Sequence, residues 1–339
     1  MKILVVLLAV LVAVNTRDLF KHIQEEWDTF KLEHDKSYES AEEERNRMMM
    51  FLVNKYRVYK HNQLFESGQV TFRLGLNKYS DMSHDEFMRT MNGFDNTANK
   101  RNYSEHLDKH GATFIPPANV VMPQHMDWRS EGAVTGVKDQ GNCTSGWAFS
   151  ATGALEGQHF RKTQSLVWLS EQNLIDCTWS YNNSGCKGGF TNNAFMYIRE
   201  NGGIDTETSY PYEAVVNKCR YDPNNAGASD VGFVNLLKGD EEELKQVVAT
   251  VGPVSVAVDS SQESFQLYSS GVYYDRKCSS KKQKHAMLVV GYGRDIAGGD
   301  YWIVKNSWGL SWGELGYMKL ARNRNNHCGI ASSASYPLV

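Results

Sequence analysis

The chain carries no excess of charge of either sign. Its 339 residues hold 36 lysines and arginines against 39 aspartates and glutamates, a formal net charge of −3. That balance excludes bulk electrostatic capture of nucleic acid or of a membrane surface. A second long apolar run is also missing. Ile3 to Val14 follows Met1-Lys2 as about a dozen apolar residues, too few to span a bilayer, and no later stretch is longer. One cation before an apolar run, closed by Asn15, Thr16 and Arg17, reads as a secretory signal peptide over residues 1–16. Internal repeats and low-complexity tracts are absent. Cysteine is sparse: Cys143, Cys177, Cys186, Cys219, Cys278 and Cys328. In a secreted chain these read as disulfides, and six cysteines allow fifteen pairings.

What is present is ordered along the chain. Residues 18–95 are charged and helical in pattern. Glu43, Arg47, Phe51, Asn54, Val58 and Asn62 recur there at spacings of three and four, so they share one helical stripe. Gly75-Leu76-Asn77-Lys78-Tyr79-Ser80-Asp81 follows as a turn. Residues 96–121 are polar, carry Pro116-Pro117 and show no apolar period, which marks a linker. From Gly146 to about Arg161 the pattern is helical again, as it is near Ser170 to Asp176 and Asn192 to Asn201. From about Ala228 onward β-branched and aromatic runs alternate with glycine-rich turns. Val254 to Val258, Leu288 to Tyr292 and Tyr301 to Val304 read as strands. The pattern predicts an α+β protein with a helical lobe, then a β-rich lobe.

The segment Asp139-Gln140-Gly141-Asn142-Cys143-Thr144-Ser145-Gly146-Trp147-Ala148-Phe149-Ser150 resembles the active-site signature of papain-like cysteine proteases. The helical stripe, with Met50 and Val58 in its aliphatic places, resembles the ERFNIN motif of cathepsin-L-type propeptides. Gly75 to Asp81 is similar to the companion GxNxFxD motif, with Tyr79 for Phe. The resemblance implies a papain-like two-lobed fold with a cleft between the lobes. It also implies a propeptide over 17–121 and a peptidase domain over 122–339, the mature end being near Met122-Pro123. It implies the disulfides Cys143–Cys186, Cys177–Cys219 and Cys278–Cys328, a monomer, and no metal or cofactor.

Acyl transfer needs a nucleophile, an activating base, a group that orients the base, and donors for the oxyanion. The resemblance assigns the base to His285, the orienting group to Asn306, the side-chain oxyanion donor to Gln140 and the ring shielding the histidine to Trp308. At the nucleophile position stands Gly146, which has no sulfur to ionise. Cys143 is expected in its disulfide, and Ser145 is expected to point away from His285. Thr144 replaces a glycine of the family in the cleft wall, where a β-branched side chain would crowd a bound backbone. It also completes the sequon Asn142-Cys143-Thr144; further sequons begin at Asn102 and Asn182. Matching positions give a peptide-pairing strip at Gly188 and Gly189 and a specificity pocket of Phe190, Thr191, Ala257, Gln283, Ala286 and Ser333. Lys284 is expected to disfavour an imidazolium at His285. Lys281, Lys282 and Lys284 make their loop basic, read here as a solvated face.

Three functions follow as expectations. The leading one is a secreted or lysosomal pseudoprotease that binds peptides or proteins in its cleft without cutting them. The second is inhibition of related active cathepsins through the propeptide. The third is retained peptidase activity.

Overall fold

The computed structural model describes residues 20–94, 111–117 and 120–339. The leader over 1–16, the Asn102 sequon and most of the linker lie outside the described residues. The first part is built from helix α1 (20–33), α2 (Ala41–Glu66), strand β1 (Phe72–Leu74) and α3 (His84–Met91). Helix α2 starts at Ser40, whose hydroxyl accepts from the Glu43 N–H, and three glutamates fill its first turn, where the helix dipole favours them. The predicted stripe does its binding through amides. Asn54 Nδ2 donates to the Ser80 and Met82 carbonyls, at 2.9 and 3.1 Å. Asn62 donates to the Leu74 carbonyl and accepts from its N–H. Phe51 packs with Trp27 and Phe30 in a small aromatic core, and Arg47 pairs with Glu86 of α3 at 2.7 Å.

The helical lobe holds α4 (Gly146–Thr163), α5 (Glu171–Cys177) and α6 (Thr191–Asn201). Helix α4 is buried along most of its length, so nearly every residue from Gly146 to Gln158 is enclosed. Its small residues Ala148, Ala151, Gly153 and Ala154 let the sheet approach closely; a Cβ at Gly153 would sit 2.8 Å from Leu288. Cys143–Cys186 and Cys177–Cys219 tie this lobe, and Cys278–Cys328 ties the other.

The remaining strands are β2 (Ala112–Thr113), β3 (Met126–Asp127), β4 (Ile204–Asp205), β5 (Ala226–Ala228), β6 (Gly232–Asn235), β7 (Val254–Val258), β8 (Tyr268–Tyr273), β9 (His285–Asp295), β10 (Gly299–Lys305), β11 (Tyr317–Ala321) and β12 (Ser335–Leu338). One sheet runs β1-β8-β11-β10-β9-β7-β12-β6-β2, with β3 added on β9; β4 and β5 form a separate pair. Within the β-rich part the chain inserts helix α7 (Glu241–Thr250), capped by Asp240, which the strand pattern did not foretell. The N-terminal part joins this lobe's core. Phe72, Leu74, Tyr79, Phe87 and Met91 share one buried cluster with Val256, Trp308 and Trp312, while β1 pairs antiparallel with β8.

Candidate active site

Two segments from opposite lobes meet at the head of α4. Gln140 N–H donates to the Ser307 carbonyl at 2.8 Å, and Ser307 Oγ donates to Gln140 Oε1 at 2.8 Å. The Gln140 amide also donates to the Cys143 carbonyl. Gly146 is the first residue of α4, and no side chain caps that helix.

Strand β9 begins at His285 and delivers its imidazole to the same place. Nε2 lies 2.7 Å from Asn306 Oδ1. Because that oxygen can only accept, Nε2 carries the proton and Nδ1 keeps a lone pair. The Trp308 indole stacks on the imidazole at 4.6 Å and 26°. Tyr79 and Phe87 of the propeptide meet that indole edge-on. Burial pushes the imidazole down to about 4, only partly opposed by the Asn306 hydrogen bond. The ring is therefore neutral across the mildly acidic range. Lys284, expected to disfavour the charged ring, is not a cause of that shift; neighbours in an extended chain point to opposite faces, and burial does the work.

The Nδ1 atom is buried and has no partner among the described residues. What faces it is Gly146. A β-carbon built there would stand 2.5 Å from Cε1, 2.8 Å from Nδ1 and 3.2 Å from the Ala286 carbonyl oxygen. The imidazole thus fills the direction in which any side chain at 146 would extend. No other nucleophile reaches it. Among the described residues there is no free cysteine, and these include all six. Ser145 turns to Tyr212, hydroxyl to hydroxyl at 2.7 Å, and Tyr212 in turn donates to the Gln140 carbonyl.

The segment after α3 supplies three site residues that the sequence reading did not single out: Asn92, Gly93 and Phe94. Helix α3 runs them into the cleft. The Gly93 carbonyl accepts from Gly189 N–H at 3.1 Å, and Phe94 N–H donates to the Lys284 carbonyl at 3.0 Å. Phe94 meets Phe190 edge-on at 5.3 Å and shares a cluster with Ala257 and Ala286. Gly188 has φ +114, and a Cβ there would stand 2.2 Å from the Gly93 oxygen, so glycine is required on both counts. Thr191 opens α6, Gln283 is buried with its amide on the Ser280 carbonyl, and Ser333 is half-buried before β12. Thr144 stands in this wall beside Gly93. Its hydroxyl donates to the Cys186 carbonyl, and its own carbonyl would lie 2.0 Å from a Cβ at Gly93. The fit is kept because residue 93 is glycine, a signal readable in the chain as Asn92-Gly93-Phe94. Of the sequon residues described, Asn142 and Asn182 are both exposed.

The papain family cysteine protease model matches residues 122–338, and the cathepsin propeptide inhibitor domain matches residues 27–87. A cathepsin L-like peptidase of Aedes aegypti is 56% identical over 339 residues, covering 100% of both chains. Cathepsin L of Sarcophaga peregrina is 57% identical over 336 residues, 99% of this chain and 98% of that one. Among solved structures, the digestive procathepsin L2 proteinase from Tenebrio molitor larval midgut superposes with a TM-score of 0.87 at 43% identity, over 94% of this chain and 100% of that one. With its inhibitory propeptide, helical lobe and sheet in this order, the chain belongs to the papain family of cysteine proteases and is cathepsin-L-like.

Proposed function

We propose that this chain is a pseudoprotease that keeps the peptide-binding cleft of its family and has lost covalent catalysis. The observation that carries the reading is the contact of Gly146 with His285, where a base and its orienting Asn306 face a residue with no side chain. Gln140 and the α4 N–H groups remain as oxyanion donors. Donors without a nucleophile leave little; a serine protease stripped of a triad member keeps roughly 10³–10⁴-fold over water. Water activated by His285 is disfavoured as well, because the ring occupies the space beside Gly146.

The reading extends to the whole chain. Residues 1–16 are a leader to the secretory pathway, 17–121 a propeptide, and 122–339 the peptidase-like domain, acting as a monomer, extracellular or lysosomal, without metal or cofactor. Asn102, Asn142 and Asn182 are the candidate glycosylation sites, and a glycan on Asn142 would stand at the cleft edge. A second role, inhibition of active cathepsin-L-like relatives by the propeptide, is favoured by the seating of Gly93 and Phe94 in the cleft.

Hydrolysis of a hydrophobic dipeptidyl-coumarin tests the main reading. The natural chain and Gly146→Cys are processed by the same added protease. Turnover by the variant alone is expected; turnover by both would end the pseudoprotease reading.

A further inference from the structure

Between α5 and α6 the chain makes a single 3₁₀ turn, Trp179–Tyr181, which Asn182 closes in the left-handed region at φ 61. Asparagine tolerates that conformation better than most residues with a side chain. The Asn182 N–H donates to the Trp179 carbonyl at 3.3 Å, so the turn brings residues 179 and 182 together on one side. Asn182 also opens the sequon Asn182-Asn183-Ser184. Its neighbour Asn183 is buried and accepts from the Phe190 N–H at 2.8 Å. Asn182 is exposed, and its side-chain amide makes no hydrogen bond among the described residues.

Trp179 differs from the other seven of the eight tryptophans. Six are buried, and half-exposed Trp168 is covered by the Lys138 ammonium, 5.4 Å from its ring centre. Trp179 is 50% exposed and meets no cation, ring or side-chain hydrogen-bond partner among the described residues. Val216 stands beside it: a β-carbon at Gly185 would lie 2.6 Å from Val216 Cγ2 and 3.3 Å from Trp179 Cζ2. With Val215 and Val216 also half-exposed, an apolar patch faces solvent at the foot of the sequon. The other two sequons lack such a neighbour. Asp139 lies three residues before Asn142, and Asn99 three before Asn102.

We propose that Asn182 carries an N-linked glycan whose first N-acetylglucosamine rests on the Trp179 indole. A pyranose offers one face of C–H groups to the electron-rich face of an aromatic ring while its hydroxyls stay in water. Seating it there covers apolar area that no protein group covers. Attachment takes place in the secretory pathway, so the proposal rests on the leader reading. The Asn182 amide nitrogen gives up a proton and bonds to the anomeric carbon of a lipid-pyrophosphate-linked oligosaccharide. The C1–O bond of that donor breaks, and the lipid pyrophosphate leaves with the proton. The loop so anchored leads straight to the peptide strip, since Ser184 N–H donates to the Gly188 carbonyl at 2.8 Å.

The test expresses the full chain with its own leader in insect cells. Peptide mapping of the exported protein after peptide N-glycosidase treatment in heavy-oxygen water is expected to place the label at Asn182. For the contact, Asn102→Gln with Asn142→Gln leaves Asn182 as the one sequon. A mannosidase inhibitor during growth and an endoglycosidase afterwards trim its glycan to one N-acetylglucosamine. That protein should melt about 2 °C or more above the same protein with Asn182→Gln. With Trp179→Ala the difference should fall below about 0.5 °C, and with Trp179→Phe most of it should return. Export with Asn182 unmodified would overturn the proposal and leave the leader reading standing. Retention inside the cell with the leader uncleaved would end both. An equal gain with and without Trp179→Ala would also overturn the proposal. So would a dimer of the exported chain that Trp179→Ala abolishes, which would give the patch to a second copy.

Discussion

His285 lies against Gly146 so closely that a β-carbon on the glycine would stand 2.5 Å from the imidazole Cε1. The two residues form a matched pair: one has no side chain, and the other lies in the direction that side chain would take.

Gly146→Ala tests that match. Alanine ordinarily improves a helix over glycine by about 1 kcal/mol. Here the added methyl must push the buried ring off Asn306 and Trp308, and overpacking of this kind costs about 1–3 kcal/mol. A fall in thermal midpoint is expected. A rise would mean that the ring moves aside freely.

The same pair limits the gain from restoring sulfur. Gly146→Cys requires His285 to retreat, and Thr144 still narrows the wall. Adding Thr144→Gly to Gly146→Cys is expected to raise kcat/KM above that of the single variant. Equal values in the two would show that Thr144 leaves the substrate path clear.

Gly93→Ala should loosen the propeptide. Its methyl would meet the Thr144 carbonyl at 2.0 Å, a backbone atom that cannot step aside. Limited proteolysis of the full chain should remove the N-terminal segment that contains the propeptide inhibitor domain faster from the variant, with a half-life shortened several-fold. An unchanged half-life would mean that contacts away from the cleft hold the segment.

Asn54→Ala separates those distant contacts from the cleft. It removes three hydrogen bonds, leaving the Ser80 and Met82 carbonyls without that donor and the Arg57 guanidinium without that acceptor. A loss of about 1–3 kcal/mol is expected. Urea unfolding of the full chain measures it, and a change below about 0.5 kcal/mol would show the site to be mere surface.

Acid should destabilise the fold through buried histidines. His285 and His327 are each pushed down to about 4 from 6.5, in both cases chiefly by burial. The unfolded chain takes up their protons below 6.5 while the folded chain does not. Their stabilising contribution is therefore full above 6.5 and declines as pH falls toward 4, by about 3 kcal/mol for each at the acid end. His327→Gln keeps an acceptor for the Asp275 N–H, which His327 Nε2 receives at 3.3 Å. The variant should lose less stability between pH 7 and 4.5 than the natural chain. Equal losses would place the acid sensitivity elsewhere.

Local chemistry made much of this legible in the chain. The asparagine stripe of α2 could be read because its amides recur at helical spacing, and the strands at Val254, Leu288 and Tyr301 because burial demands continuous apolar runs. Helix α7 escaped notice among strands, although Asp240 followed by three glutamates is a readable start. Asn92, Gly93 and Phe94 escaped because Gly93 reads locally only as a turn, and its place in a cleft is set by residues far along the chain.

By itself the sequence determined the family, the order of propeptide and lobes, and the lack of a side chain at 146, since each is written in residue identity and spacing. Only the tertiary structure decided that His285 lies against Gly146, that burial rather than Lys284 keeps the ring neutral, and that Asn92, Gly93 and Phe94 lie in the cleft. Those outcomes depend on distances between segments more than a hundred residues apart, or on the absence of a neighbour, and neither is encoded in any local pattern.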